Sequence, residues 1–92
     1  GKYSFSYHKQ ELSIQDQVIK LSNREAALLL LLYKNKNALT ERKKALISLW
    51  GDDSFFNTRT MDVFITRLRK HLKNDKNIEI LNVRGMGYKL IC

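Results

Sequence analysis

The stretch Ser22-Asn23-Arg24-Glu25 followed by Ala26-Ala27-Leu28-Leu29-Leu30-Leu31-Leu32-Tyr33 constrains this chain more than any other. A Ser with a Glu three residues later is a capping box. The hydroxyl accepts the Glu25 amide proton, and the carboxylate reaches back to the Ser22 amide. The helix it opens, over about 23–35, is apolar almost all round, and such a helix has to be surrounded by the rest of the fold. The apolar run from Ala26 to Tyr33 is eight residues, whereas a bilayer span needs about 20. It is therefore expected at the centre of a globular core. Ninety-two residues supply one such core, so residues 1–92 are read as a single domain.

What surrounds that helix follows from shorter patterns. Tyr3, Phe5 and Tyr7 alternate with Ser4 and Ser6, and Leu12 and Ile14 alternate likewise. Val18, Ile19 and Leu21 follow Gln15-Asp16-Gln17. These predict three or four short antiparallel strands over 3–21. Asn35-Lys36-Asn37 ends the first helix. Thr40 is expected to cap a second, over about 41–50, with Ala45, Leu46, Leu49 and Trp50 on its apolar face and Gly51 as its stop. Asp52 to Asn57 reads as a loop. A third helix is expected from Arg59 to Asn74, then strands Glu79–Val83 and Tyr88–Ile91 about the turn Arg84-Gly85-Met86-Gly87. This is an α+β order: an N-terminal antiparallel sheet, three helices and a C-terminal β-hairpin, the plan of a winged helix-turn-helix. No signal peptide opens the chain, structure begins within a few residues of Gly1, and the reading is of a piece of a longer protein with Gly1 as a cloning remnant.

The third helix carries the functional argument. Met61, Phe64, Ile65, Leu68 and Leu72 fall on one side at 3.6-residue spacing. Arg59, Val63, Thr66, Arg67, Lys70 and Lys73 fall on the other, with Asp62 and Arg69 near an edge. Charged helix faces are usually only solvated. Here Asp62 is the sole acid within 59–73, whereas a salt-bridged solubility helix mixes signs. Val63 stands in the middle of the exposed face, where water gives a β-branched residue no reward. A DNA major groove rewards this mixture: Arg on guanine, Val or a Thr methyl on a thymine methyl, Asp on cytosine, with Lys and other Arg on phosphates. The whole chain supports the same partner, since 17 Lys and Arg oppose nine Asp and Glu for a net charge of +8. Arg84, at the tip of the hairpin that follows, can enter a minor groove.

Other classes fit less well. Cys92 is the only cysteine, which excludes a disulfide framework and zinc sites built on paired cysteines. His8 reads as a turn or strand-end residue and His71 as a core-edge residue. Neither has a nucleophile or metal pattern beside it, so no enzyme, cofactor or metal is expected. An RNA-binding or acidic-protein-binding basic module is the alternative, but the aromatics mostly alternate in strands or lie in helix stripes rather than forming a stacking platform.

These residues together resemble the C-terminal winged-helix effector domain of the OmpR/PhoB response regulators of bacterial two-component systems. The likeness rests on Ser22-Asn23-Arg24-Glu25, the Leu-rich helix, Leu49-Trp50-Gly51, Arg59-Thr60-Met61-Asp62-Val63, Ile65, Leu68-Arg69-Lys70 and Val83-Arg84-Gly85-Met86-Gly87-Tyr88. It implies a four-stranded N-terminal sheet. It implies base reading by Asp62, Val63, Thr66 and Arg67, backbone contacts from Arg42, Trp50, Arg59, Thr60, Arg69 and Asn82, and a minor-groove Arg84; Lys70 is added as a phosphate contact by its charge and place. Segment 52–58 matches one that meets RNA polymerase in some members. Asp52, Asp53, Phe55 and Phe56 would form that patch, unless the two phenylalanines fold back as a lid on the core. Thr66 departs from the family, which often has a basic residue there. The resemblance further implies a cytoplasmic protein, no membrane partner, head-to-tail dimers on direct repeats of double-stranded DNA, and a sensor kinase acting only through a receiver domain absent from these 92 residues.

Overall fold

The computed structural model describes residues 3–92. Helix α1 (Asn23–Lys34) starts at the capping box: Glu25 N donates to Ser22 Oγ at 3.2 Å, and Ser22 N donates to Glu25 Oε1 at 2.8 Å. It buries Ala26, Leu28, Leu29 and Leu32 at the centre of the core. It is less enclosed than its composition implies. Ala27, Leu30 and Leu31 are only half-buried and Tyr33 is exposed.

The N-terminal segment forms strands β1 (Ser4–Ser6), β2 (Glu11–Ile14) and β3 (Gln17–Lys20), antiparallel in the order β1-β2-β3. Phe5 pairs with Leu12 and Leu12 with Ile19, giving one apolar row. Leu12 is fully buried and the other two pack against the same core. The sheet has three strands among the described residues, not the four the family resemblance implies.

A fourth strand lies elsewhere. Leu39–Glu41 is β4, and it pairs with the C-terminal hairpin rather than the N-terminal sheet. Thr40 therefore does not cap the second helix. It is a strand residue, 3% exposed. Helix α2 (Arg42–Trp50) has Glu41 at its N-cap with no side-chain bond. A tertiary contact does part of a cap's work: Arg42 N donates to Met86 O, on the hairpin turn, at 3.0 Å. Gly51 ends α2 in the left-handed region (φ 91°) and returns its N–H to Ile47 O.

Helix α3 runs Phe55–His71, not Arg59–Asn74. Its cap is Ser54, whose Oγ accepts from Asn57 N at 3.2 Å, while Asp52 Oδ1 accepts from Ser54 N and Asn57 Nδ2. Most of the expected 52–58 loop is thus the first turn of the helix. Strands β5 (Glu79–Val83) and β6 (Gly87–Ile91) complete a second sheet in the order β4-β6-β5. Gly87 lets β6 lie against β4, because a Cβ there would sit 2.1 Å from Thr40 O and 2.8 Å from Arg42 N. Met61, Ile65, Leu68, Leu72, Ile80, Tyr88 and Leu90 close the core over α1.

Candidate nucleic-acid interface

The stripe Met61, Ile65, Leu68 and Leu72 is buried as its spacing requires. Phe64 is half-buried and meets Trp50 edge to face, with ring centroids 5.5 Å apart. The opposite face of α3 stays open: Arg59, Asp62, Val63, Thr66, Arg67 and Lys70 are exposed, and Val63 is 49% exposed. Two arginines on this face lie over rings of their own helix, Arg67 above Phe64 at 5.1 Å and Arg59 above Phe55 at 5.7 Å. Such contacts hold a guanidinium in place while leaving its edge free to donate. Thr60 and Thr66 instead donate their hydroxyl protons to the carbonyls four residues back, Phe56 O at 3.1 Å and Asp62 O at 3.0 Å. In this arrangement each offers a ligand a lone pair or a methyl, not a proton.

Two ties clasp the hairpin to α3. Arg69 Nε and Nη2 donate to Ile80 O at 3.0 and 2.8 Å, and Nη2 also donates to Asn82 Oδ1 at 2.7 Å. On the other strand, the Tyr88 hydroxyl donates to Asp62 Oδ1 at 2.6 Å. Burial first, then the Asp62 carboxylate, pushes the Tyr88 phenol up to about 12, against the opposing pull of Arg42. Arg69, Asn82 and Asp62 were expected to meet DNA; here Arg69 and Asn82 bond each other, and one Asp62 oxygen belongs to the wing.

The hairpin turn follows from its glycine. Met86 N donates to Val83 O at 2.9 Å, and Gly85, third of the four residues, has φ 73°, as a type II turn requires. Arg84 projects from this turn, exposed. Between turn and helix lies a cleft of about 310 Å³ lined by Arg42, Arg69 and Arg84 with Asp62 and Tyr88. Its three guanidiniums outnumber its one carboxylate, so the cleft carries positive potential, although Arg69 is already bonded to Ile80 O and Asn82.

Trp50 sits beside this face with the Arg24 guanidinium 5.0 Å from its ring. Its Nε1 is covered and is the only buried side-chain polar atom among the described residues without a hydrogen-bond partner. Asp52 is held below the ordinary carboxylate range by the Ser54 amide and then by the Ser54 and Asn57 side chains, and Asp53 lies 3.8 Å from Lys43. Phe55 and Phe56 do not form a lid on the core: each is 76% exposed. His71 is a core-edge residue, its Nε2 3.1 Å from Glu25 Oε2, and His8 lies in the turn between β1 and β2. The part played by Tyr88 was not readable in the sequence, since Asp62 is 26 residues away. Ser54 was readable, since Ser is a preferred N-cap residue whose hydroxyl accepts the backbone amide three residues on.

A helix with an open basic face, followed by a hairpin clasped to it, defines a winged-helix module of the OmpR/PhoB type. Residues 16–90 match the family described as "Transcriptional regulatory protein, C terminal", and the chain belongs to that family, which is regulatory and not enzymatic. The transcriptional regulatory protein RprY of Bacteroides fragilis is 52% identical over 99% of this chain, which spans 39% of RprY's length. Among solved structures, the DNA-binding domain of Escherichia coli CpxR is 25% identical with a TM-score of 0.83, over 97% of this chain and 89% of that one. The Klebsiella pneumoniae RstA DNA-binding domain, solved in complex with the RstA box, is 26% identical with a TM-score of 0.80, over 99% and 92%. No helix among the described residues is long and apolar enough to cross a membrane.

Proposed function

We propose that this chain binds a specific double-stranded DNA sequence and controls transcription as the effector domain of a two-component response regulator. One observation carries the reading: α3 presents an open basic face containing Val63, and the wing bearing Arg84 is bonded to that same helix at Asp62 and Arg69. A helix and a wing held as one body can occupy a major groove and the next minor groove together.

In this reading Val63, Thr66 and Arg67 meet base edges, and Asp62 keeps one oxygen for a cytosine amine. Arg42, Arg59 and Lys70 hold the backbone, Thr60 joins them when its hydroxyl turns from Phe56 O to a phosphate oxygen, and Arg84 enters the minor groove. Trp50 meets the backbone through the exposed part of its ring beside Arg24. Arg69 and Asn82 act mainly by holding the wing. We take residues 1–92 as one domain, acting in the cytoplasm as head-to-tail dimers on direct repeats, with the kinase acting through a receiver outside these residues. Contact of residues 52–58 with RNA polymerase is the competing use of the Phe55–Phe56 surface and is separated from DNA contact below.

Selection of bound duplexes from a random pool tests the core of this. A single motif, repeated at fixed spacing, is expected. Retention of unrelated duplexes alone would overturn sequence specificity. Competition by single-stranded RNA or an acidic protein, matching duplex DNA at equal salt, would favour the basic-module alternative.

A further inference from the structure

Phe55 and Phe56 stand out as an exposed apolar pair on an otherwise basic face. They are displayed on a braced turn, because Ser54 caps the helix and Asp52 is bonded to Asn57. Helical spacing puts them in line with the proposed base-reading residues: Phe55, Arg59, Asp62 and Thr66 form one row, and Phe56, Thr60, Val63 and Arg67 the next. Phe55, Phe56, Arg59, Val63 and Thr66 line one continuous groove. Exposed apolar surface of this kind marks a contact surface.

We propose that the two rings belong to the DNA-contacting surface and pack on thymine methyls and deoxyribose just beyond the base pairs met by Val63 and Arg67. This rests on the DNA-binding reading above. Phe56 is seven residues from Val63 in the numbering, which is about 10 Å along a helix, and spans at most roughly three base pairs at 3.4 Å each. The electrostatics agree. Arg59 lies over the Phe55 ring, so a phosphate bound by Arg59 has the ring beside it. Of the acids nearby, Asp53 lies toward Lys43, Asp52 bonds Ser54 and Asn57, and one Asp62 oxygen is taken by Tyr88. Arg59 is the cation that a strand backbone at the rings would meet.

The test uses the 92-residue chain and a duplex taken from the selection. The double variant Phe55→Ala/Phe56→Ala is compared with the parent by fluorescence anisotropy across a salt series. A roughly tenfold weaker affinity is expected, with the log-affinity against log-salt slope unchanged because no cation is lost. Replacing thymines by uracil in the three flanking base pairs should weaken the parent and leave the variant unmoved. Phe55→Leu/Phe56→Leu, which keeps apolar bulk, should recover most of the affinity. Parent-like binding by the Ala variant, while Arg67→Ala still weakens it, would overturn the inference alone and assign the pair to a protein partner such as polymerase. Parent-like binding by both variants would overturn the inference together with the assignment of this face of α3 to base contact, and failure of the selection to return any duplex would overturn the DNA-binding reading itself.

Discussion

Arg69→Ala separates a residue that holds the wing from one that holds a phosphate. The side chain makes three hydrogen bonds, two to Ile80 O and one to Asn82 Oδ1, at 2.7–3.0 Å. Ile80 lies on β5, the outer strand of its sheet, so removing Arg69 takes the charged donor from that carbonyl and the partner from Asn82. A hydrogen bond to a charged group is worth about 1.5–3 kcal/mol. Arg69 is itself exposed, and water can replace part of the loss. The expected cost is therefore about 1–2 kcal/mol of folding stability. For a domain of this size each kcal/mol moves Tm by roughly 4–8 °C, so thermal melting should show a fall of about 5–15 °C. Hydrogen exchange should quicken at β5. DNA affinity should fall because the wing is no longer held at one distance from α3, while the salt slope changes little. Arg69→Lys should behave like Ala, since a lysine keeps the charge but cannot make the forked contact. An unchanged Tm, with a slope shallower by about 0.9 and restored by Lys, would identify a phosphate contact and refute the positioning role.

Other consequences are equally direct. Arg67→Ala should cost roughly 1–3 kcal/mol on the selected site and relax preference at one base position, read by repeating the duplex selection. Gly87→Ala forces a Cβ to within 2.1 Å of Thr40 O. β6 must then part from β4, and chemical denaturation should report a loss of 3 kcal/mol or more, above the usual range for overpacking because the obstacle is backbone. Tyr88 has its phenol raised to about 12 from 10.0. A group with a raised folded value contributes stability that is complete below its unfolded value and is lost as pH climbs through the folded one. The stability of the parent should therefore fall between about pH 10 and 12, and Tyr88→Phe should remove that part of the pH dependence while lowering stability at neutral pH.

Much of the architecture was legible because it is written at short range. The Ser22–Glu25 box, the α3 stripe and the Gly51 stop depend on residues three or four apart, which a reader of the chain sees side by side. Errors fell where a local rule had a tertiary rival. Thr40 looked like a cap, but its burial against β6 makes it a strand residue, and the α2 amide it would have served finds Met86 O instead. The start of α3 is different in kind: the Ser54 cap on the Asn57 amide is local, and it sets the helix at Phe55 rather than Arg59 with no tertiary rival involved.

The sequence by itself determined that α1 lies in a core, that α3 turns one apolar and one basic face, and that Arg84 tops a glycine turn. Periodicity and capping operate within a helical turn or a hairpin, so no partner had to be known. Only the tertiary structure decided which basic residues are free. Arg67 and Lys70 remain on the open face, while Arg69 is spent on Ile80 and Asn82. Asp62 is likewise half-spent on Tyr88, 26 residues away. Those assignments depend on where the wing folds back, and that is settled by close packing at Gly87 and by hydrogen bonds between distant residues, not by any pattern along the chain.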